Sequence, residues 1–145
     1  MQVLEAPVTS IVGELRRLLP DQQVLWRDYD LMLYEYDGSI DKHRPAAVVF
    51  PLSTDEVSRV VRACHQMGVA YTARGAGTGL SGGAIPAQGG VLISLARMNR
   101  ILEIDLDNLR AVVEPGVSSD LPPSCTTSPP GSTTSSPSVW LVVTP

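Results

Sequence analysis

The stretch Arg74-Gly75-Ala76-Gly77-Thr78-Gly79-Leu80-Ser81-Gly82-Gly83 follows directly on the strand-like residues 69–73, and its reading decides how the rest of the chain is understood. Seven of the chain's twelve glycines fall between Gly75 and Gly90. Every glycine adds to the entropy lost on ordering, so a purely structural turn has no use for this density. A backbone without side chains can turn tightly and aim consecutive N–H groups at one point, which is what a pyrophosphate needs. Thr78 and Ser81 add hydroxyl donors of the kind that grip phosphate. Arg74, at the start of the run, is open to two readings, phosphate contact or loop bracing, because a guanidinium serves either.

Working outward, residues 46–50 form a short valine-rich apolar run between Pro45 and Pro51 and predict a buried strand. Ser53 stands three residues before Glu56, the spacing of a capping box, and predicts a helix whose inward stripe is Val57, Val60, Val61 and Cys64. Gly68 supplies its stop, and residues 69–73 form the next strand. Strand, helix and strand in this order predict a parallel crossover. Beyond the glycine run, residues 91–95 predict another strand, and residues 101–105 and 109–113 flank Leu106-Asp107-Asn108 as a hairpin. Upstream, Val8, Ile11, Val12, Leu15, Leu18 and Leu19 recur at helical offsets, so residues 7–19 predict an amphipathic helix that Pro20 ends. Residues 21–45 show no clean period and predict irregular backbone with short turns, in which Trp26, Tyr29, Tyr34 and Tyr36 either cover the core, the expected role since large rings contribute buried area anywhere, or line a groove. Five strands and two helices without an internal repeat predict an α+β fold with a small mixed sheet, a βαβ unit and flanking helices.

Composition narrows the function classes. The chain has 145 residues and a formal net charge of -4, with no broad positive field for nucleic acid or an anionic membrane. No run approaches the 18 or so apolar residues of a transmembrane helix, and the N-terminus lacks the pattern of an export signal. Cys64 and Cys125 read as independent thiols of a reducing compartment, consistent with a cytoplasmic location. From Leu121 onward Ser, Thr and Pro make up 17 of 25 residues and no charge appears, which predicts a disordered low-complexity tail apart from the apolar residues 139–143, either a linker or stalk or the product of a shifted reading frame. The expected organisation is an N-terminal helix and aromatic segment over residues 1–45, a folded unit over 46–117 and this tail over 118–145.

Among nucleotide loops, a P-loop would end in Gly-Lys-Ser/Thr, but Gly82-Gly83-Ala84 closes this run and no lysine is near. The dinucleotide fingerprint is formally present as Gly77-x-Gly79-x-x-Gly82, yet Pro86 and Gly89-Gly90 interrupt the helix that should continue from it. What remains is a loop that wraps a dinucleotide's pyrophosphate without a Rossmann helix.

Arg74 to Gly83, followed by Ile85-Pro86, Gly89-Gly90-Val91, Met98-Asn99-Arg100-Ile101 and Glu114-Pro115-Gly116-Val117, resembles the first half of the PCMH-type FAD-binding domain of FAD-linked oxidases of the vanillyl-alcohol oxidase type. Within that family the likeness is to glycolate oxidase flavoprotein subunits and their D-lactate dehydrogenase relatives. It covers roughly residues 1–117, including Tyr36-Asp37-Gly38 and Ala63-Cys64-His65-x-x-Gly68. The resemblance implies FAD as cofactor, with Arg74, Gly75, Ala76, Gly77, Thr78, Gly79, Leu80, Ser81 and Gly82 holding its diphosphate and Pro115, Gly116 and Val117 passing close to it. Members that tether the flavin covalently in this loop place a histidine where this chain has Thr78, which implies non-covalent FAD. The implied reaction is oxidation of a small 2-hydroxy acid such as glycolate or D-lactate, with electrons passed to partner subunits or a membrane quinone, so membrane association would come through partners. His43 and His65 match no catalytic position, and no catalytic residue is assigned. The second FAD subdomain and the substrate cap of the family have no counterpart after Val117. The chain therefore reads as an N-terminal fragment, truncated or frameshifted near residues 116–119, inactive by itself. A catalytically inactive pseudo-domain with an interaction role and a binder of another nucleotide are the rival readings.

Overall fold

The computed structural model describes residues 5–36, 42–77, 82–86, 88–108, 110–117 and 140–143. Helix α1 (Glu5–Leu18) leads through a 3-10 turn to the short strand β1 (Val24–Leu25) and a single helical turn, α2 (Asp28–Leu31). Strand β2 (Ala47–Val49), helix α3 (Thr54–Gln66) and strand β3 (Tyr71–Arg74) follow, then β4 (Val91–Ser94), β5 (Ile101–Asp105), β6 (Arg110–Val113) and β7 (Trp140–Val143). The first sheet has the order β1-β2-β4-β3, with β1 antiparallel and the other three parallel. The expected α+β class, mixed sheet and βαβ unit are present. Strand β4 lies between the two strands of that unit, however, so β2 and β3 never touch as neighbours.

The burial pattern explains the layers. Ala47, Val49, Val91 and Ile93 face α1 and α3, where they meet Ile11, Leu15, Leu19, Val60, Ala63 and Cys64. Val48 and Leu92 point to the opposite face and pack with Leu31, Tyr34 and Phe50. A strand buried on both faces carries an unbroken apolar run rather than alternation, which is why β2 and β4 were legible as continuous valine-, leucine- and isoleucine-rich segments. A 14-residue helix such as α1 is marginal in isolation, and its place is set by the buried Ile11, Leu15 and Leu19, each contributing about 1.5–3 kcal/mol. Helix α3 starts as predicted: the Ser53 hydroxyl accepts from the Glu56 N–H at 3.3 Å. The Glu56 carboxylate reaches back to the Leu52 N–H at 2.8 Å. Gly68, at φ +63°, ends the helix.

The aromatic expectation is corrected in part. Trp26, Tyr29 and Tyr36 are exposed, and only Tyr34 packs against the sheet, edge-on to Phe50 with ring centroids 5.8 Å apart. The far face of the sheet offers Val48 and Leu92, which Leu31, Tyr34 and Phe50 already cover. The guanidinium groups of Arg16 and Arg27 instead stand 5.6 and 5.7 Å from the Trp26 ring centroid.

The second sheet has the order β5-β6-β7. Strands β5 and β6 form the predicted antiparallel hairpin, irregular between Ile101 and Glu103. Its turn is closed by Asp105, whose carboxylate accepts from both the Asn108 side chain and backbone, and these bonds hold the carboxyl below the usual range. Of residues 118–145, Trp140–Val143 are described and pair in parallel with β6. The rest of that segment, with Cys125, lies outside the described residues. A clamp joins the hairpin to the turn after β4: Glu114 is 6% exposed and accepts from the Arg100 guanidinium at 2.6 and 2.9 Å and from the Arg100 N–H at 2.8 Å. The hydrogen-bonded guanidinium first, then the backbone N–H, lowers the Glu114 pKa.

Gly90 has φ +82°, and a Cβ there would overlap the Ala70 carbonyl. Gly90→Ala is therefore expected to destabilise the fold by at least about 1–3 kcal/mol in urea unfolding. Gly13, exposed within α1 with open space around it, gives the opposite sign: Gly13→Ala should stabilise by about 0.5–1 kcal/mol. The clamp predicts a pH dependence. Because folding lowers the Glu114 pKa, its contribution is present above the ordinary glutamate value of about 4.3 and is lost as pH falls through the lowered folded value. Glu114→Gln should be less stable at pH 7, and thermal unfolding curves of variant and wild type should converge as the pH is lowered through that window.

Candidate functional site

Strands β2, β3 and β4 run in one direction and end at Val49, Arg74 and Ser94, so the glycine run leaves the sheet at its carboxyl edge. Ligands of open α/β sheets bind outside this edge. Strand β4 brings the second segment to the same place. Its next residue, Leu95, donates its N–H to the Arg74 carbonyl at 2.8 Å, while the Gly116 N–H is bonded to the Met98 carbonyl at 2.7 Å. A Cβ on Gly116 would overlap the Leu95 carbonyl, so only glycine lets this turn approach so closely. The two segments singled out in the sequence, 74–77 with 82 on one side and 115–117 on the other, thus flank the end of β4.

Arg74, Gly75, Ala76, Gly77 and Gly82 are described at this edge, as are Pro115, Gly116 and Val117. Thr78, Gly79, Leu80 and Ser81 lie outside the described residues. Gly77 has φ +73°, and a Cβ on it would overlap the Arg74 guanidinium, which folds back across the turn. That guanidinium donates to the Tyr36 carbonyl at 2.7 Å and stands 5.8 Å from the Tyr34 ring centroid. Next to it, Phe50 packs on Tyr34, and the Arg97 guanidinium lies 5.2 Å from the Phe50 centroid. Two cations and two rings therefore line the carboxyl edge, a feature the sequence reading missed because Tyr34, Phe50, Arg74 and Arg97 are far apart in the chain.

The local charge suits an anion. From Arg74 to Leu102 the sequence has Arg74, Arg97 and Arg100 and no Asp or Glu, in a chain whose net charge is -4. Left-handed backbone at Gly77, an approach at Gly116 that admits no Cβ, and a basic surround fit the diphosphate of a dinucleotide cofactor. Among the described residues there is no cluster of His, Cys, Asp and Glu that could hold a metal ion. Cys64 is buried and its thiol is pushed up to about 11 by desolvation, so it remains protonated and unreactive. His65 is exposed in the last turn of α3, and His43 is exposed with its N–H bonded to the Glu35 carbonyl.

A groove of about 460 Å³ lies at the opposite end of the sheet, between Val12 and Gly13 of α1 and the chain at Trp26, Leu31, Pro45 and Ala46. Its two arginines are already engaged, Arg16 with Asp21 and Arg44 with Glu35. It shares no residue with the glycine turn.

Residues 45–121 match the family described as FAD binding domain. The chain is 43% identical over 110 residues to glycolate oxidase subunit GlcD of Escherichia coli K12, covering 75% of this chain and 22% of that protein. It is 45% identical over 76 residues to a D-lactate dehydrogenase of Anaerostipes hadrus, covering 52% of this chain and 16% of that protein. Among solved structures, p-cresol methylhydroxylase with substrate bound superposes with a TM-score of 0.70 at 30% identity, covering 80% of this chain and 24% of that one. The chain thus spans less than a quarter of the length of these relatives. On the family match and the fold together, the chain belongs to the PCMH-type FAD-binding domains of the FAD-linked oxidases, whose cofactor is FAD.

Proposed function

We propose that this chain supplies the diphosphate-binding part of an FAD-linked oxidoreductase acting on a small 2-hydroxy acid such as glycolate or D-lactate. The observation that carries the reading is the meeting of the glycine turn and the Gly116 turn at the end of β4, in a chain whose relatives bear the names glycolate oxidase subunit and D-lactate dehydrogenase. Oxidation of a 2-hydroxy acid removes the hydroxyl proton and, from the α-carbon, a hydride whose two electrons a bound flavin accepts.

The residues of this chain act by binding and orientation. The glycine-turn amides, with the hydroxyls of Thr78 and Ser81, would hold the diphosphate, and Pro115-Gly116-Val117 would pass close to the cofactor. Thr78 has no nucleophilic ring nitrogen to form a flavin bond, so at this position the cofactor would be held without a covalent link. No group of this chain is assigned the role of catalytic base. Electron-accepting partner subunits belong to the same reading, and any attachment to a membrane comes through them. Among the described residues no helix is long and apolar enough to cross a membrane.

The chain purified on its own is expected to bind FAD more weakly than a Kd of about 1 µM and in preference to NAD and ATP, as followed by flavin fluorescence and equilibrium dialysis. It should reduce no dye with glycolate or D-lactate. Equal retention of NAD or ATP would defeat the cofactor assignment, and substrate-dependent dye reduction would defeat the assignment of a binding role alone. Gly116→Ala should lower FAD affinity by about tenfold or more, since even about 1.4 kcal/mol of displacement strain at that close approach has this effect.

A further inference from the structure

We propose that Arg74 is a positioning residue, which braces the glycine turn from behind and leaves the phosphate contacts to the main-chain amides. The inference deepens the FAD reading and rests on it for its functional consequence. Two contacts fix the guanidinium. It donates to the Tyr36 carbonyl at 2.7 Å and stands 5.8 Å from the Tyr34 ring centroid, and in that position it takes the space that a Cβ on Gly77 would need. These contacts span 38 residues of sequence and join the end of β3 to the segment 34–36. That segment is itself fixed. Tyr36 bridges to Lys42, the His43 N–H is bonded to the Glu35 carbonyl at 2.9 Å, and Arg44 pairs with Glu35. Tyr34 is in turn held edge-on against Phe50 at the end of β2.

A planar fork can donate to a carbonyl while its face rests on a ring, and an ammonium cannot reproduce both contacts. Bracing also bears on Gly77 beyond its positive φ. A Cβ there would displace the guanidinium from its place on Tyr34 and Tyr36, so the two residues are coupled. The described start of the turn, residues 74–77, is thus anchored to segment 34–36 before a ligand arrives, which reduces the entropy lost on binding.

The test uses the full 145-residue chain and separates the brace from the cofactor. Without FAD, urea unfolding of Arg74→Ala, Gly77→Ala and the double variant forms a cycle. The expected result is non-additivity, with Gly77→Ala costing about fivefold less in the unfolding equilibrium constant when Arg74 is already alanine, because the overlap is gone. Additive effects overturn the proposal. With FAD, Arg74→Lys and Arg74→Met should raise the dissociation constant by a similar factor of about ten, and the dependence of affinity on salt should stay that of wild type. If Arg74 held the phosphates directly, lysine would keep most of the affinity, methionine would lose it, and the salt dependence would weaken. That pattern also overturns the proposal. A wild-type chain without measurable affinity for FAD counts against the cofactor reading alone, and the ligand-free cycle then decides the brace.

Discussion

Strand β4 is the constraint on which the rest of the structure depends. It is inserted between β2 and β3, and Val91, Leu92, Ile93 and Ser94 are all buried. Every main-chain group of a strand in that position has to be paired, because water cannot reach it. Its register is therefore fixed on both sides: Val91 opposite Ala47 and Tyr71, Ile93 opposite Val49 and Ala73. Fixing the register fixes where the strand stops, and Leu95 then receives the end of β3 on one side and the Gly116 turn on the other. The candidate site is a consequence of where an apolar strand ends.

Electrostatics is organised around the same edge by segregation rather than by abundance. The chain is acidic as a whole, yet the segment from Arg74 to Leu102 carries only arginines among its charged residues. Of these, Arg100 is neutralised by Glu114 and fixes the hairpin. Arg74 and Arg97 rest on aromatic rings. A cation on a ring face keeps its charge, whereas one in a hydrogen-bonded ion pair is compensated by its partner. On the proposed reading the N–H groups of the turn would supply the contacts to a diphosphate, with Arg97 adding charge at the same edge and Arg74 bracing the turn.

Much of this was legible in the sequence, for reasons that can be named. Helix α3 announced itself through Ser53, Glu56 and Gly68, all local signals whose partners are within four residues. The hairpin was carried by Asp105 and Asn108, again neighbours. The glycine run and the Glu114-Pro115-Gly116-Val117 segment were visible as motifs, and the family they suggested is the one the chain belongs to. The insertion of β4 between β2 and β3 was not visible, because strand order depends on which edges meet in space and no local pattern encodes it. The exposure of Tyr29 and Tyr36 was missed for the same reason, since a ring's burial depends on the area left uncovered by distant elements. The two readings of Arg74 could not be separated in the sequence because its partner, the Tyr36 carbonyl, is a main-chain atom and has no residue type to recognise.

The two sides of the site rest on supports of unequal strength. The glycine turn leaves a sheet covered on one face by α1 and α3 and on the other by Leu31, Tyr34 and Phe50. The Pro115-Gly116-Val117 turn leaves a hairpin whose outer strand, β5, exposes Ile101, Leu102 and Ile104. With little apolar area buried on β5, the position of that turn is set by the Glu114 clamp and the Gly116 to Met98 hydrogen bond. Segments with few buried contacts open at lower free energy than the core they are attached to. A ligand that bridges both turns stabilises the weaker one by the free energy of its binding, and part of its affinity is consumed in doing so. On the proposed reading, the affinity of this site for FAD would be governed as much by how firmly the hairpin is docked as by the amides of the glycine turn.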